Sequence, residues 1–224
     1  MKHTLSLLLA SFLMLGSTHS ADFARKPASA QTKQAHEKVI ERLPFENTED
    51  FKLATRGLLA KPDALVIKDK SGRVVWNMTG MEYLDGPRPD TVNPSLWRQA
   101  KLNAIHGLFE VTQGIYQVRG YDLANVTFIE GKTGWIVVDP LTAAETMQAA
   151  MALVDSHFGK RPVKAILATH SHADHFAGVR ALASEDDLAS GRIRFVAPEH
   201  FVKEVSSENV IAGNAMGRRA GYMF

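Results

Sequence analysis

Between residues 108 and 139 the chain alternates apolar and polar positions in short bursts broken by glycine. "LFEVTQGIYQVRG" reads as two strands around Gln113-Gly114. "NVTFIEGKTGWIVVDP" reads as a strand at 126–130, a turn from Gly131 to Gly134, and a strand at 135–139. The period then changes. Thr142 starts a helix, with Glu145 three residues later to form a capping box. That helix runs to about Phe158, and Gly159 suits the position just past its end. "PVKAILAT", 162–169, is an apolar run of strand length, the pattern of a strand covered on both faces. A helix from about Phe176 to Ser184 and a strand at 192–198 follow. Strands that give way to alternating helix and strand predict a layered α/β (α+β) fold with helices packed on sheets.

Upstream the pattern is looser. Residues 21–38 are polar and rich in Ala, Lys and Gln, a flexible leader or a helix packed on the outside. "ALVIKDKSGRVVWNM", 64–78, predicts two short strands around Ser71-Gly72. "LDGPRPDTVNP" carries three prolines and reads as an ordered loop. "SLWRQAKLNAIHGL" predicts a short helix with Ser95 as N-cap and Gly107 as stop. The organisation expected is a signal peptide over 1–20, an extension of irregular hairpins and loops over 21–107, and a main domain over 108–224.

Composition narrows the function. With 224 residues and 45% hydrophobic content there is material for one sizeable core plus an extra segment. The formal net charge of +2 gives no case for nucleic acid or an anionic membrane surface. Zero cysteines exclude disulfides and thiolate ligands. Lys2, the apolar run Leu5 to Leu15 and small residues near Ser20 and Ala21 follow the order of an export signal. The expected destination is the periplasm or secretion. No other long apolar run exists, so no membrane span is expected in the mature chain.

The chemistry concentrates in "THSHADHFAGV", 169–179. His170 and His172 are two apart at a strand end, so both imidazoles leave on one side and can converge on one ion. Asp174 and His175 follow on the turn, offset toward a neighbouring position. Imidazole and carboxylate donors suit zinc, and also iron or manganese. Asp139 closes the preceding strand and either holds a ligand histidine from behind or caps a turn. His3 and His19 fall in the leader region, His36 lies in the polar stretch, His157 ends a helix, His106 reads as structural, and His200 lacks a partner pattern.

The run H-x-H-x-D-H at 170–175, after a strand with the "GWIVVDP" aspartate upstream, resembles the metallo-β-lactamase superfamily. A longer resemblance, from roughly residue 45 to the end, is to zinc-dependent alkylsulfatases of the SDS-hydrolase type. It is carried by "NPSLWRQAKLNAIHGLFEV", "GIYQVRGYDLANVTFIEGKTGWIVVDPLTAAET", the histidine run and "NAMGRRAGYMF". The resemblance implies an αββα sandwich, of which this chain would hold the N-terminal half behind its extension. It implies two Zn2+ ions, with His170 and His172 on the first, and Asp174 and His175 on the second. Asp174 would also orient the attacking water, and Arg218 and Arg219 would help recognise sulfate, unless they are a solvated basic pair. The reaction implied is hydrolysis of primary alkyl sulfates such as dodecyl sulfate to alcohol and sulfate. In that family two glutamates, a histidine and a dimerisation region lie downstream of the run. The expectation is therefore an N-terminal fragment that is inactive and not dimeric alone. Another hydrolase of the fold, a lactonase or β-lactamase, and a non-catalytic periplasmic metal-binding fragment are the competing readings.

Overall fold

The structure, a computed structural model, describes residues 26–223. The expected leader at 1–20 lies outside them. A seven-stranded mixed sheet organises the chain: β1 (Leu58–Ala60), β4 (Gly107–Thr112), β5 (Ile115–Arg119), β6 (Val126–Glu130), β7 (Trp135–Val138), β8 (Val163–Leu167) and β9 (Arg194–Val196), in that spatial order. From β1 to β7 the pairs are antiparallel, and β7–β8 and β8–β9 are parallel. The switch occurs where α4 (Ala144–Phe158) carries the chain back over the sheet, as a parallel pair requires.

Strand alternation decides what is buried. Tyr116, Val118, Val126, Phe128, Trp135 and Val137 point to one face and are closed off. They meet Met147, Ala150 and Val154 of α4, with aromatic contacts among Tyr116, Trp135 and Phe158. Ile115, Ile129 and Ile136, in register across three strands on the other face, remain half-buried. The expectation of a strand covered on both faces at 162–169 is corrected here. In β8 only Ile166 is buried, while Ala165 and Leu167 are half-buried and Lys164 is exposed.

Upstream, β2 (Val66–Lys68) and β3 (Val74–Asn77) form the expected hairpin. It packs on α4, and the Trp76 indole donates to the Gly120 carbonyl at 2.8 Å. Helix α1 (Ala30–Arg42) occupies much of the polar stretch, and α2 (Glu49–Thr55) follows. Helix α3 (Pro94–Asn103) is capped two residues before the expected Ser95: Asn93 is the cap, accepting from Ser95 N, and Pro94 fills the first turn where it needs no N–H. Gly107 opens β4 instead of stopping the helix. The capping box expected at Thr142 is also absent, since α4 is capped at Ala143 without a side-chain bond. The 176–184 helix is a 3-10 turn, Ala177–Ala181, followed by α5 (Glu185–Ala189). The chain closes with α6 (Phe201–Ser206), one π turn at Ser207–Ile211, and α7 (Gly213–Met223).

Candidate metal centre

The histidine run leaves the sheet at the end of β8, held there by its neighbour strand. Ala168 N donates to Val196 O at 2.9 Å, and Asp139 N donates to Leu167 O at 2.8 Å. Asp139 then ties down the start of the run: it accepts from Thr169 N at 2.8 Å and from Thr169 Oγ1 at 2.8 Å.

The loop that carries Asp139 is bent. Asp139 and Leu141 have φ of 57° and 61°, conformations a non-glycine residue adopts only when its surroundings hold it. The holding group is Asp122, which is buried. Its carboxylate accepts from Thr142 Oγ1 at 2.6 Å, Thr142 N at 3.1 Å, Leu123 N at 2.7 Å, and the Thr146 hydroxyl. Gly178 closes the loop from the other side, donating its N–H to Leu141 O at 2.9 Å. A Cβ there would stand 2.1 Å from Pro140 O, so only glycine fits.

On this base the four candidate ligands form two pairs. His170 Nε2 and His172 Nδ1 face each other at 3.0 Å. Two imidazole nitrogens at that distance cannot both carry protons toward each other. They share one proton, or both turn lone pairs on a cation. His175 Nε2 and Asp174 Oδ2 stand 3.3 Å apart, and the His170 and His175 ring centroids are 4.1 Å apart. Behind each pair stands a carboxylate. His175 Nδ1 is 3.0 Å from Asp139 Oδ2, but out of line for a hydrogen bond, so this buried nitrogen has no partner. Glu208, on the π turn, places Oε1 3.6 Å from His172 Nε2.

These observations fit a metal. The inward atoms are one nitrogen–nitrogen pair and one nitrogen–oxygen pair of the right chemistry, and the orphaned His175 Nδ1 lies 3.0 Å from the Asp139 carboxylate. Among the described residues no three His, Asp or Glu side chains are arranged to hold one ion, so each ion would take two donors from this stretch.

Beside the cluster lies a cavity of about 420 Å³, lined by Leu123, His172, Asp174, Glu208, Met216 and Arg219 among others. Arg218 and Arg219 are both exposed; Arg219 lines the cavity and Arg218 does not. A second hollow, between α2 and α3, holds Arg98. Its guanidinium is already committed to Phe45 O, Asn47 O and Asp50, which leaves it a structural clamp. The remaining described histidines have other company: His36 Nδ1 with Asp90 O, His106 Nδ1 with Ala104 O, His157 against Phe158, and exposed His200 near Glu199.

Asp122 and Glu208 were not singled out in the sequence. Asp122 gives no local signal because its partners lie twenty residues on. Glu208 sits in "SSENV", which has no period and no ligand spacing.

Comparison with known proteins agrees with the geometry. The family profile described as the metallo-beta-lactamase superfamily matches residues 119–216. A linear primary-alkylsulfatase of a Pseudomonas species is 46% identical over 220 residues, covering 97% of this chain and 32% of that protein. An (R)-specific secondary-alkylsulfatase of Pseudomonas is 45% identical over 219 residues, with 97% and 33% covered. An alkyl/aryl-sulfatase of Saccharomyces cerevisiae is 44% identical over 206 residues, with 92% and 32% covered. The solved structure of the stereoselective inverting sec-alkylsulfatase Pisa1 from Pseudomonas superimposes with a TM-score of 0.84 at 48% identity, over 88% of this chain and 31% of that one. The chain thus spans about a third of the length of these relatives. With its mixed sheet, its histidine turn and these relatives, the chain carries a metallo-β-lactamase domain, matched over residues 119–216, and its strong homologues are alkylsulfatases.

Proposed function

We propose that this chain forms the metal-binding part of an alkylsulfatase that hydrolyses linear primary alkyl sulfates to alcohol and sulfate. The observation that carries the reading is the pairing of His170 with His172, and of Asp174 with His175, beside a cavity that combines Arg219 with apolar Leu123 and Met216. The relatives, all of them named as alkylsulfatases, turn the general hydrolase reading toward sulfate esters.

His170 and His172 would hold one zinc ion, and Asp174 and His175 a second. The chemistry a bound zinc pair supplies is Lewis acidity toward water and toward sulfate oxygens. The chain's own residues do the rest. Asp139 stands 3.0 Å behind His175 Nδ1, where it would steady the ring once the two come into line, and it fixes Thr169 at the head of the run. Arg219 brings a fixed positive charge to the cavity where the sulfate would sit. Leu123, Ala173, Met216 and Ala220 give the alkyl chain an apolar wall. Asp174 lies at the cavity and can hold the attacking water by hydrogen bond.

With only two donors for each ion from this stretch, the 224-residue chain alone should bind zinc weakly and turn over no ester. Sustained release of sulfate from dodecyl sulfate by the purified chain would overturn that. The substrate is tested by grafting: this chain replaces the matching third of the Pseudomonas linear primary-alkylsulfatase. The graft is expected to cleave dodecyl sulfate, and to lose that activity on His172→Ala. A folded, zinc-loaded graft that prefers a secondary sulfate ester, a lactone or a β-lactam would sink the reading at that level. Export to the periplasm is part of the same proposal and rests on the leader alone. Sequencing the N-terminus of the secreted protein checks it.

A further inference from the structure

Asp122 lies between β5 and β6, well before the histidine run in sequence, and its side chain is buried. Five donors converge on its two oxygens. Oδ1 accepts from Thr142 Oγ1 at 2.6 Å and from Leu123 N at 2.7 Å. Oδ2 accepts from Thr142 N at 3.1 Å, from Ala143 N at 3.4 Å and from the Thr146 hydroxyl. A buried carboxylate needs such donors to offset its lost hydration. Four of the five come from the start of α4, where a helix N-terminus favours negative charge. Helix α4 has no side-chain cap of its own, and a carboxylate brought from the loop between β5 and β6 stands in its place.

Two parts of the site hang on this one group. The first is the base of the donor run. Thr142 follows directly on the bent stretch from Asp139 to Leu141, whose positive φ values persist only where neighbours over-determine them. Leu141 is fully buried, its carbonyl accepts from Gly178 N, and Asp122 secures the next residue along. From there the constraint reaches the histidines through short bonds: Asp139 accepts from Thr169 N and Thr169 Oγ1, each at 2.8 Å, and Thr169 precedes His170. The second part is the cavity. Leu123 and Thr142, both bonded to Asp122, line it together with His172 and Asp174. The donor run and the cavity wall beside it thus share one anchor.

We propose that Asp122 is a positioning residue for this site: through Thr142 it holds the Asp139 loop that seats the histidine run, and through Leu123 it holds the cavity wall in register with that run. The consequence for metal affinity rests on the metal reading given above. The holding itself does not, since every bond in it lies outside the four candidate donors. A group that merely capped α4 would, when lost, loosen the whole fold alike. A positioning group, when lost, frees Thr169 and Leu123 more than it frees the core.

The test uses the metal-free full chain and reads amide hydrogen exchange at Thr169 and Leu123 against the buried core residues Phe128 and Val137, which report opening of the whole fold. In Asp122→Ala, exchange at Thr169 and Leu123 should quicken about tenfold or more relative to the core pair. Thr142→Val removes one of the five bonds, stays informative where Asp122→Ala does not fold, and should quicken Thr169 about threefold relative to the core. Val154→Ala is the control: it opens a void at a fully buried position further along α4, and should move all four amides together. Zinc affinity, measured by competition with a chromogenic chelator, should fall about tenfold in Asp122→Ala, less in Asp122→Asn, and stay within about twofold of the parent in Val154→Ala. If Thr169 only keeps pace with the core amides in the folded variants, the proposal is overturned. Equal losses of zinc affinity in Asp122→Ala and Val154→Ala would overturn it too, by reducing Asp122 to a residue of stability alone. Should the parent bind no zinc, the metal reading fails, and the exchange comparison still decides the role of Asp122.

Discussion

Asp122 has the most work to do of any single residue outside the histidine run. Its carboxylate accepts from the Thr142 and Thr146 hydroxyls and the Thr142 and Ala143 N–H groups, which lie in the loop and helix start beyond β7, and from the N–H of its neighbour Leu123. Removing it strands those donors in a closed environment. Asp122→Ala should lower unfolding stability by about 2–4 kcal/mol in a urea titration, and Asp122→Asn by less, since one oxygen remains. A change under about 0.5 kcal/mol would mean the donors find water instead. Gly178 is the opposite kind of constraint, a place where an atom is forbidden. Gly178→Ala puts a methyl against Pro140 O and Ala143 O, so it should cost about 1–3 kcal/mol and loosen the Asp139 loop. Unaltered thermal stability of that variant would show that the loop yields freely.

Among the elements, α5 carries a pH signal. Ser184 donates to Asp187 through its hydroxyl at 2.6 Å and its N–H at 3.0 Å, and Arg192 adds an ion pair at 2.9 Å. The Ser184 bonds first, then the arginine, hold the Asp187 carboxyl down at about 2. Because the folded value lies below the ordinary 3.8, the box contributes fully above about pH 4 and is lost as pH falls through about 2. Carbon-detected NMR of Asp187 should give its midpoint near 2, and a midpoint near the ordinary value would show the box open in solution. The elements also mark what could be read in advance. The strands from β4 to β9 and α4 were legible because their alternation and glycine turns are local. The helix starts were not. Thr142 looks like a cap in sequence, yet its hydroxyl goes to Asp122, a partner no window around Thr142 contains. The four candidate donors at 170–175 stand out in the sequence by type and spacing. Their backing carboxylate Glu208 does not, because a π turn breaks the helical period that would have aimed it.

At the scale of the whole molecule, the sheet has two unequal faces. One is closed by α4 and the β2–β3 hairpin, while Ile115, Ile129 and Ile136 remain half-buried on the other. Toward the end of the described chain Val202, Val210, Ile211 and Tyr222 are 76–95% exposed. Apolar surface of this extent binds whatever apolar matter it meets. The isolated chain should therefore enhance the fluorescence of an apolar dye well beyond a closed domain of equal size, and should self-associate with rising concentration in light scattering. Val210→Ser with Ile211→Ser should weaken both. A chain that stays monomeric and leaves the dye dark would show that these residues pack away in solution.

The spatial order of the strands from β4 to β9 repeats their order along the chain. Each strand can therefore join the edge left by the one before it, with short closures and little waiting. The histidine run follows β8, next to the last strand, and Glu208 follows later still. Growth in that direction would close the core between β4, β7 and α4 before the candidate donors are in place. On the metal reading proposed above, capture of the ions would then be a late event on an already settled scaffold, and a shortage of metal would leave behind a folded chain that has yet to be loaded.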